Sequence, residues 1–163
     1  MKFDASYSLR VKIITTAVII LFLGLGIMQI SPALRVDVFL ALSAPTLFLI
    51  ILVVTYGLSV TKYEISSYEL VICRPFKNKI IPKKDITSAE RIYKQDLKWT
   101  FRVFGSGGLF GIYGNFFNKK IGTMNWFVTR EDRLILIKTS IGKKYVVSPD
   151  EPEKFLDTLK SAN

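Results

Sequence analysis

Two long stretches without a charged residue, close together near the N-terminus, constrain this chain more than any other feature. Residues 13–30 form a stretch of 18, residues 38–58 a stretch of 21, and Gln29 is the one strongly polar residue within them. A helix of 21 residues is about 31 Å long, close to the hydrocarbon thickness of a bilayer, and 18 residues is the lower end of the spanning range. The sequence therefore predicts two transmembrane helices within a membrane anchor formed by residues 1–58.

A cleaved signal peptide is the alternative for the first stretch, because Lys2, Arg10 and Lys12 form a positive start before an apolar run. That run is longer than the usual apolar core of about 7–15 residues, and a second apolar stretch follows within a few residues. We therefore expect the first stretch to remain as a transmembrane helix.

Basic residues near the ends of the two spans predict the orientation. Only Arg35 lies in the connecting loop, and cytoplasmic flanks carry the excess of Lys and Arg. We therefore expect a multi-pass protein of the inner (cytoplasmic) membrane with both termini in the cytoplasm. Ser31 and Pro32 are expected to open the external turn, because proline does not continue a helix. The basic residues on the terminal sides of the spans are Lys2, Arg10, Lys12, Lys62, Arg74 and Lys77.

Residues 59–163 are predicted to form one basic cytoplasmic domain. They hold 19 Lys and Arg against 11 Asp and Glu, which gives +8 of the chain's net +10. About 100 residues suffice for a domain with its own core. The chain has a single cysteine, Cys73, and no histidine, so we expect no disulfide within the chain, no usual zinc site and no cofactor.

Short β-favouring runs separated by turn residues fill most of this domain, which predicts an antiparallel meander folded into a small barrel or sandwich. Residues 97–103 alternate between apolar and polar, as a strand with one buried face requires. Phe155, Leu156 and Leu159 fall at helical spacing after Ser148, which predicts a short C-terminal helix. The runs are 62–65, 69–73, 79–82, 86–92, 97–104, 111–117, 121–129, 134–139 and 144–148.

Four groups of residues between about 60 and 160 share a pattern with a known family. They are Tyr63-Glu64-Ile65 with Leu70, Ile80-Ile81-Pro82 before Asp85-Ile86, residues 102–111 with Gly114, and Tyr145-Val146-Val147-Ser148-Pro149 before Pro152 and Phe155. With these motifs the chain resembles the bacterial pleckstrin-homology-like (PH-like) domains, which often follow transmembrane helices. The resemblance implies an α+β, mainly β fold: an antiparallel barrel of seven or so strands with one end closed by the C-terminal helix.

One departure from the family concerns phosphoinositides. In the eukaryotic relatives that bind inositol lipids, the basic signature lies on the first two strands and the loop that joins them. Here that loop is only Ser66-Ser67, and no basic residue lies between Lys62 and Arg74. The resemblance therefore implies the fold rather than inositol-lipid binding.

The glycine-rich segment 105–111 does not match a nucleotide-binding loop, because Phe110 occupies the third glycine position and no Lys-Ser or Lys-Thr follows. Glycines here are expected to allow positive φ angles and close strand packing. The alternative is that Leu109 and Phe110 form a loop tip that dips into the membrane or contacts a partner.

Eight lysines cluster near predicted turns and are the candidate contacts for anionic headgroups or a protein partner. Each properly oriented lysine beside an anionic leaflet adds up to about 1 kcal/mol of attraction, although a solvated surface explains the same pattern. Nucleic-acid binding is not expected, because membrane topology already accounts for the positive charge. The candidates are Lys77, Lys79, Lys83, Lys84, Lys119, Lys120, Lys143 and Lys144.

No catalytic residues are predicted. Cys73 lies in a predicted strand without a histidine to activate it, and Asp85, Asp96 and Asp132 form no recognisable constellation. The aromatic residues between Trp99 and Phe127 are expected mainly to fill the domain interior.

The sequence therefore predicts a membrane-anchored, non-enzymatic binding module that acts through protein–protein interaction or self-assembly. Peripheral recognition of anionic lipid headgroups is the first alternative. An accessory subunit of a membrane enzyme or transporter is the second.

Overall fold

The computed structural model describes residues 1–33 and 38–161. The helices are α1 (Leu9–Ala33), α2 (Val38–Gly57) and α3 (Pro152–Lys160), with a 3-10 turn at Lys83–Asp85. The strands are β1 (Lys2–Asp4), β2 (Lys62–Ile65), β3 (Glu69–Cys73), β4 (Lys79–Pro82), β5 (Ile86–Ile92), β6 (Thr100–Gly108), β7 (Gly111–Asn118), β8 (Gly122–Val128), β9 (Leu134–Thr139) and β10 (Lys144–Val147).

The two apolar stretches form the helices α1 and α2, which pack together with Phe22 stacked on Phe48 at 4.4 Å between ring centroids. Within the described residues, Leu9–Gln29 is long and apolar enough to cross a bilayer. The described apolar part of α2, Leu42–Gly57, is shorter. The structure is thus consistent with one membrane-spanning helix near the N-terminus, and the second span stays a prediction.

The predicted turn at Ser31 and Pro32 is wrong, because α1 continues to Ala33. Pro32 lacks the amide that would donate to the carbonyl four residues earlier. Carbonyls near the end of a helix lack helical partners in any case, so the loss of this one hydrogen bond does not end the helix at Pro32. Arg35, expected in the connecting loop, lies outside the described residues.

The strands form two sheets rather than a single closed barrel. The first sheet has the order β1-β2-β3-β4 and is antiparallel throughout, whereas the second has the order β5-β9-β10-β8-β7-β6. The expectation of a simple antiparallel meander is therefore wrong for the second sheet. β10 lies between β8 and β9, and it pairs parallel with β8.

Burial explains the central position of β10. Tyr145, Val146 and Val147 are each less than 5 % exposed, so this strand is apolar on both of its faces. A strand of this kind is most stable when both faces and both edges are covered, and only an interior position in the sheet provides that.

The second sheet is apolar on both faces, so the domain has two buried clusters. One surrounds Tyr63 and Ile137 between the two sheets, and α3 closes it with Phe155. The other covers the opposite face of the second sheet and includes Met124 and Trp126. Burial of each such side chain contributes about 1.5–3 kcal/mol. The predicted C-terminal helix is confirmed, and its position follows from its buried face.

The domain predicted to begin at residue 59 also includes the N-terminal strand β1. Lys2 pairs with Glu64 and Asp4 with Lys62, which places β1 at the edge of the first sheet. Phe3 is 3 % exposed and belongs to the cluster between the sheets. The two helices are therefore an insertion between the first and second strands of this sheet.

Candidate functional site

The C-terminal end of α2 is capped by groups from the β domain. The last carbonyls of a helix lack partners within the helix. Here the Tyr113 hydroxyl donates to the Thr55 carbonyl at 2.6 Å, and the Phe76 amide donates to the Gly57 carbonyl at 3.0 Å. Arg74 Nε donates to the Leu58 carbonyl at 3.0 Å, and its positive charge also suits the negative end of the helix dipole. Two separate segments of the domain, strand β7 and the turn after β3, thus hold the end of this helix.

The N-terminal end of α1 is fixed to the domain as well. The Ser8 side chain accepts from the Val11 amide at 3.3 Å, as an N-cap does, and the Ser8 amide donates to the Thr129 carbonyl at 3.1 Å. Arg10 forms an ion pair with Glu131 at 2.8 Å. The position and direction of α1 relative to the second sheet are therefore set by contacts on both sides of its first residue.

Asp150 strengthens the contact between the segment before α1 and the C-terminal part of the domain. It accepts hydrogen bonds from the Ser6 hydroxyl at 2.6 Å and from Arg130 at 3.2 Å. Burial alone would raise the pKa of the Asp150 carboxyl, but these hydrogen bonds outweigh burial and hold the pKa below its ordinary value. The carboxylate is therefore ionised at neutral pH and ties the N-terminal segment to the C-terminal part of the domain.

The glycine-rich segment forms the tip of the β6–β7 hairpin, and this tip packs against both helices. The Phe110 amide donates to Thr15 Oγ1 at 3.0 Å, and the Phe110 ring meets Tyr56 edge to face at 5.5 Å. Leu109 and Phe110, the alternative candidates for a tip that dips into the membrane or contacts a partner, are partly buried. The structure therefore places the tip beside the helix pair.

The expected role of the glycines is confirmed in this hairpin. Gly105 and Gly114 face each other with φ angles of 123° and 121°. A Cβ on Gly105 would lie 2.0 Å from the Tyr113 carbonyl oxygen, and one on Gly114 would lie 2.2 Å from the Phe104 carbonyl oxygen. Only glycine allows the two strands to approach this closely.

The strands give the domain two ends, which we call helix-proximal and helix-distal. The end of β8 is helix-proximal, because Thr129 contacts Ser8 at the start of α1. β10 runs parallel to β8, so Lys144 at its start is helix-distal, and the seven residues of β8 separate the two ends by about 20 Å. In the first sheet the turn after β3 is helix-proximal, since Arg74 contacts the end of α2.

The eight candidate lysines do not form one surface. Lys77 and Lys79 lie at the helix-proximal end, in and after the turn that follows β3. Lys83 is buried, with its ammonium 3.4 Å from the Thr158 carbonyl, and burial lowers its pKa. It therefore offers no exposed charge to a headgroup or a partner. The remaining five lie at the helix-distal end: Lys84, Lys119, Lys120, Lys143 and Lys144.

A different set of cations surrounds the helix ends. Arg10 and Lys12 lie in the first turn of α1, Arg74 and Lys77 lie beside the end of α2, and Lys94 forms an ion pair with Glu131 at 3.3 Å. Four basic residues that flank the apolar stretches predict the orientation of the spans: Arg10, Lys12, Arg74 and Lys77. The three-dimensional arrangement brings them together at the end of the domain from which the helices emerge.

Strand β6 forms an edge of the second sheet and carries exposed apolar side chains. The alternating pattern predicts a buried face, but only Leu97 is buried. Trp99, Phe101, Val103 and Phe104 are 75 %, 55 %, 68 % and 77 % exposed. A solvent-exposed run of large apolar residues on an edge strand is typical of an interaction surface.

No chemistry is evident in the described part of the chain. Burial raises the pKa of the Cys73 thiol, which disfavours the reactive thiolate. Residues 1–33 and 38–161 contain no group of three or more Cys, Asp or Glu placed to hold a metal ion.

Comparison with known proteins gives one result for the domain. A family model described as "Bacterial PH domain" matches residues 61–163, which is the region of β2 to β10 and α3. Comparison with curated proteins and with solved structures found no match.

Proposed function

The chain belongs to the bacterial PH domain family, and from that premise we propose that it is a membrane-anchored, non-enzymatic binding module. PH domains are generally non-catalytic binding modules. In our proposal the domain is held at the cytoplasmic face of the inner membrane, where it binds a partner protein or further copies of itself.

The pairing of β1 with β2 supports two membrane spans. Asp4 and Lys62 are register partners, so the chain leaves the domain and returns to it on the same side of the membrane. A chain that crosses once in α1 must then cross a second time. The 20 residues of α2 give a length of about 30 Å, which suffices for this second crossing.

Charge supports a cytoplasmic position for both termini and for the domain. The cations at the helix-proximal end, among them Arg10, Lys12, Arg74 and Lys77, lie where the positive-inside rule places basic residues. Arg35 is the single basic residue in the sequence between the two helices.

The contacts of Tyr113, Phe76 and Arg74 with the end of α2 are the observation that carries this proposal. A flexibly tethered domain would sample many orientations. A domain bonded to both helix ends keeps one orientation to the membrane, so its surfaces always face the same directions. Preorganisation of this kind lowers the entropic cost of binding.

Edge strand β6 is the surface that we assign to the partner. Its outer edge has no neighbouring strand in the described structure, and Phe101 and Phe104 are exposed beside it. A strand from a partner, or β6 of a second copy, would satisfy the unpaired backbone groups and cover these rings.

Crosslinking in intact cells tests this assignment. In a Cys73→Ala background, Phe101→Cys is treated with a short bismaleimide, and Ile141→Cys, 62 % exposed in the turn between β9 and β10, is the control. We expect dimers or partner adducts with Phe101→Cys and monomer with Ile141→Cys. Monomer with both variants would contradict the proposal.

Recognition of anionic headgroups is a second candidate, favoured by the cations around the helix ends. Lys12 and Lys77 are exposed at that end, whereas Lys119 and Lys120 are exposed at the helix-distal end. Each lysine near an anionic leaflet contributes about 1 kcal/mol, and salt screens the attraction within about 10 Å.

Spin-labelled lipids in nanodiscs test this second candidate with the full-length protein. We expect the wild type to immobilise anionic lipid in preference to neutral lipid, and the preference to fall with added salt. Lys12→Glu with Lys77→Glu should abolish the preference. Lys119→Glu with Lys120→Glu makes the same change in net charge and should retain it. Equal effects of the two pairs would exclude a specific role for the helix-proximal cations.

A further inference from the structure

A large cavity lies on the face of the second sheet that points away from the first sheet. Its volume is about 840 Å³, within the range of pockets that bind small molecules. Ile112, Phe116, Trp126 and Leu134 line its floor, and Leu97 from the loop after β5 forms part of its wall. Neither the family match nor the contacts that cap α2 assign a function to this cavity.

The floor contains an unsatisfied polar group. Trp126 is 5 % exposed and stacks on Phe116 at 4.5 Å between ring centroids. Its buried indole nitrogen has no hydrogen-bond acceptor within the described residues. A buried donor without an acceptor costs about 1–3 kcal/mol, but this nitrogen is closed to solvent, so a ligand in the cavity would meet the carbon atoms of the indole ring rather than the nitrogen.

The rim is strongly cationic. Arg10, Lys94, Lys98 and Arg102 line the cavity together with one carboxylate, that of Glu131. Glu131 already pairs with Arg10 and Lys94. Lys98 and Arg102 are exposed and have no ion-pair partner in residues 1–33 and 38–161. An apolar floor beneath two unpaired cations is complementary to an anionic group attached to an apolar chain.

We infer that this cavity binds a single-chain anionic lipid. The chain lies on Ile112, Phe116 and Leu134, and the anionic head lies between Lys98 and Arg102. The cavity reaches the helix-proximal end at Arg10, in the first turn of α1, where the chain of a lipid can enter from the membrane surface. It extends to the helix-distal side at Lys98, whose carbonyl accepts from Asn118 beside the β7–β8 turn. The inference rests on the proposed membrane location, but it does not depend on a protein partner at β6.

Tryptophan fluorescence provides a direct test, because the chain has only two tryptophans and the other, Trp99, is 75 % exposed. The full-length Trp99→Phe variant in detergent micelles reports Trp126 alone. The probes are lysophosphatidic acid with a brominated chain and lysophosphatidylcholine with the same chain. We expect saturable quenching by the anionic probe, at about one lipid per protein, and much weaker quenching by the zwitterionic probe.

Two sets of variants separate site binding from micellar contact. Lys98→Gln with Arg102→Gln should weaken binding of the anionic probe about 25-fold, at about fivefold per charge. Lys119→Gln with Lys120→Gln should leave it unchanged. Gly107→Leu should block the cavity, because Gly107 lines it and a Cβ there meets only the flexible end of Arg102 at 2.5 Å. Near-UV circular dichroism checks that each variant is folded.

Quenching that rises without saturation, or equally with both probes, would overturn the inference, as would full quenching in folded Gly107→Leu. Crosslinking at Phe101 tests the partner surface separately. A negative result there leaves the lipid test intact, and a negative lipid test leaves the partner surface intact.

Discussion

Replacement of Tyr113 by Phe is expected to loosen the domain from the helix pair. The Tyr113 hydroxyl donates to the Thr55 carbonyl at 2.6 Å, in the last turn of α2, where the helix supplies no partner. Burial raises the pKa of Tyr113 to about 12, so the hydroxyl keeps its proton at neutral pH. Loss of this hydrogen bond, with the carbonyl left unsatisfied, costs about 1–3 kcal/mol. The population of the detached hairpin should therefore rise by a factor of about 5 to 150.

Hydrogen–deuterium exchange of the full-length protein in nanodiscs measures this population. The Phe110 amide reports on detachment, because it donates to Thr15 of α1 at 3.0 Å. We expect its protection to fall by the same factor in Tyr113→Phe, while amides in the interior strand β9 keep theirs.

A matched control makes the same chemical change elsewhere. Tyr68 is 84 % exposed in the turn between β2 and β3, so Tyr68→Phe should leave the protection of Phe110 unchanged. Equal protection of Phe110 in the wild type and in Tyr113→Phe would refute the claim that this bond holds the domain on the helices.

Three further substitutions test the packing and charge of the domain. Phe3→Ala should lower the free energy of unfolding by about 3–5 kcal/mol, measured by denaturant unfolding, because the Phe3 ring is 3 % exposed. Gly105→Ala should lower the melting temperature because of its φ of 123°, whereas Gly24→Ala, with open space around it, should not. Asp150 has a folded pKa below the ordinary 3.8, so its contribution to stability is present above that pH and is lost as the pH falls through the folded value. Asp150→Asn should therefore lose less stability than the wild type between about pH 7 and about pH 2, and an equal loss would contradict this.

Local patterns in the sequence predict the elements that local physics determines. The apolar stretches, the C-terminal helix and most strand bounds follow from composition and periodicity over a few residues. β1 is not predicted, because its three residues, Lys2 to Asp4, carry no pattern and form a strand only by pairing with β2, far along the chain.

Alternation shows which residues share a face, but it does not show whether anything covers that face. Residues 97–103 alternate as a half-buried strand would, yet Phe101 and Val103 remain exposed because, within the described residues, nothing covers their side of β6. The position of β10 between β8 and β9 is equally a property of the whole sheet, since its apolar run fits several strand orders.

The candidate site depends even more on contacts between distant residues. Tyr113 and Thr55 have no sequence relation that predicts a hydrogen bond, and Arg74 gives no sign that it caps a helix. The lysine clusters look alike in the sequence, although Lys77 lies beside the helices and Lys120 at the opposite end of the domain. The directions of the strands place these two lysines at opposite ends of the domain, and strand direction is known only from the fold.

The position of β1 also has a consequence for biosynthesis. Phe3 packs on the Phe155 ring of α3 at 5.2 Å between centroids, so the core that contains it closes only after nearly the whole chain has been made. At about 5–20 residues per second, this interval is about 8–30 s. In the proposed topology, both apolar helices enter the membrane during that time while Phe3 stays uncovered at the membrane surface. A ribosome that stalls before α3 would release an inserted protein with an open core, which is a substrate that membrane quality-control proteases can recognise.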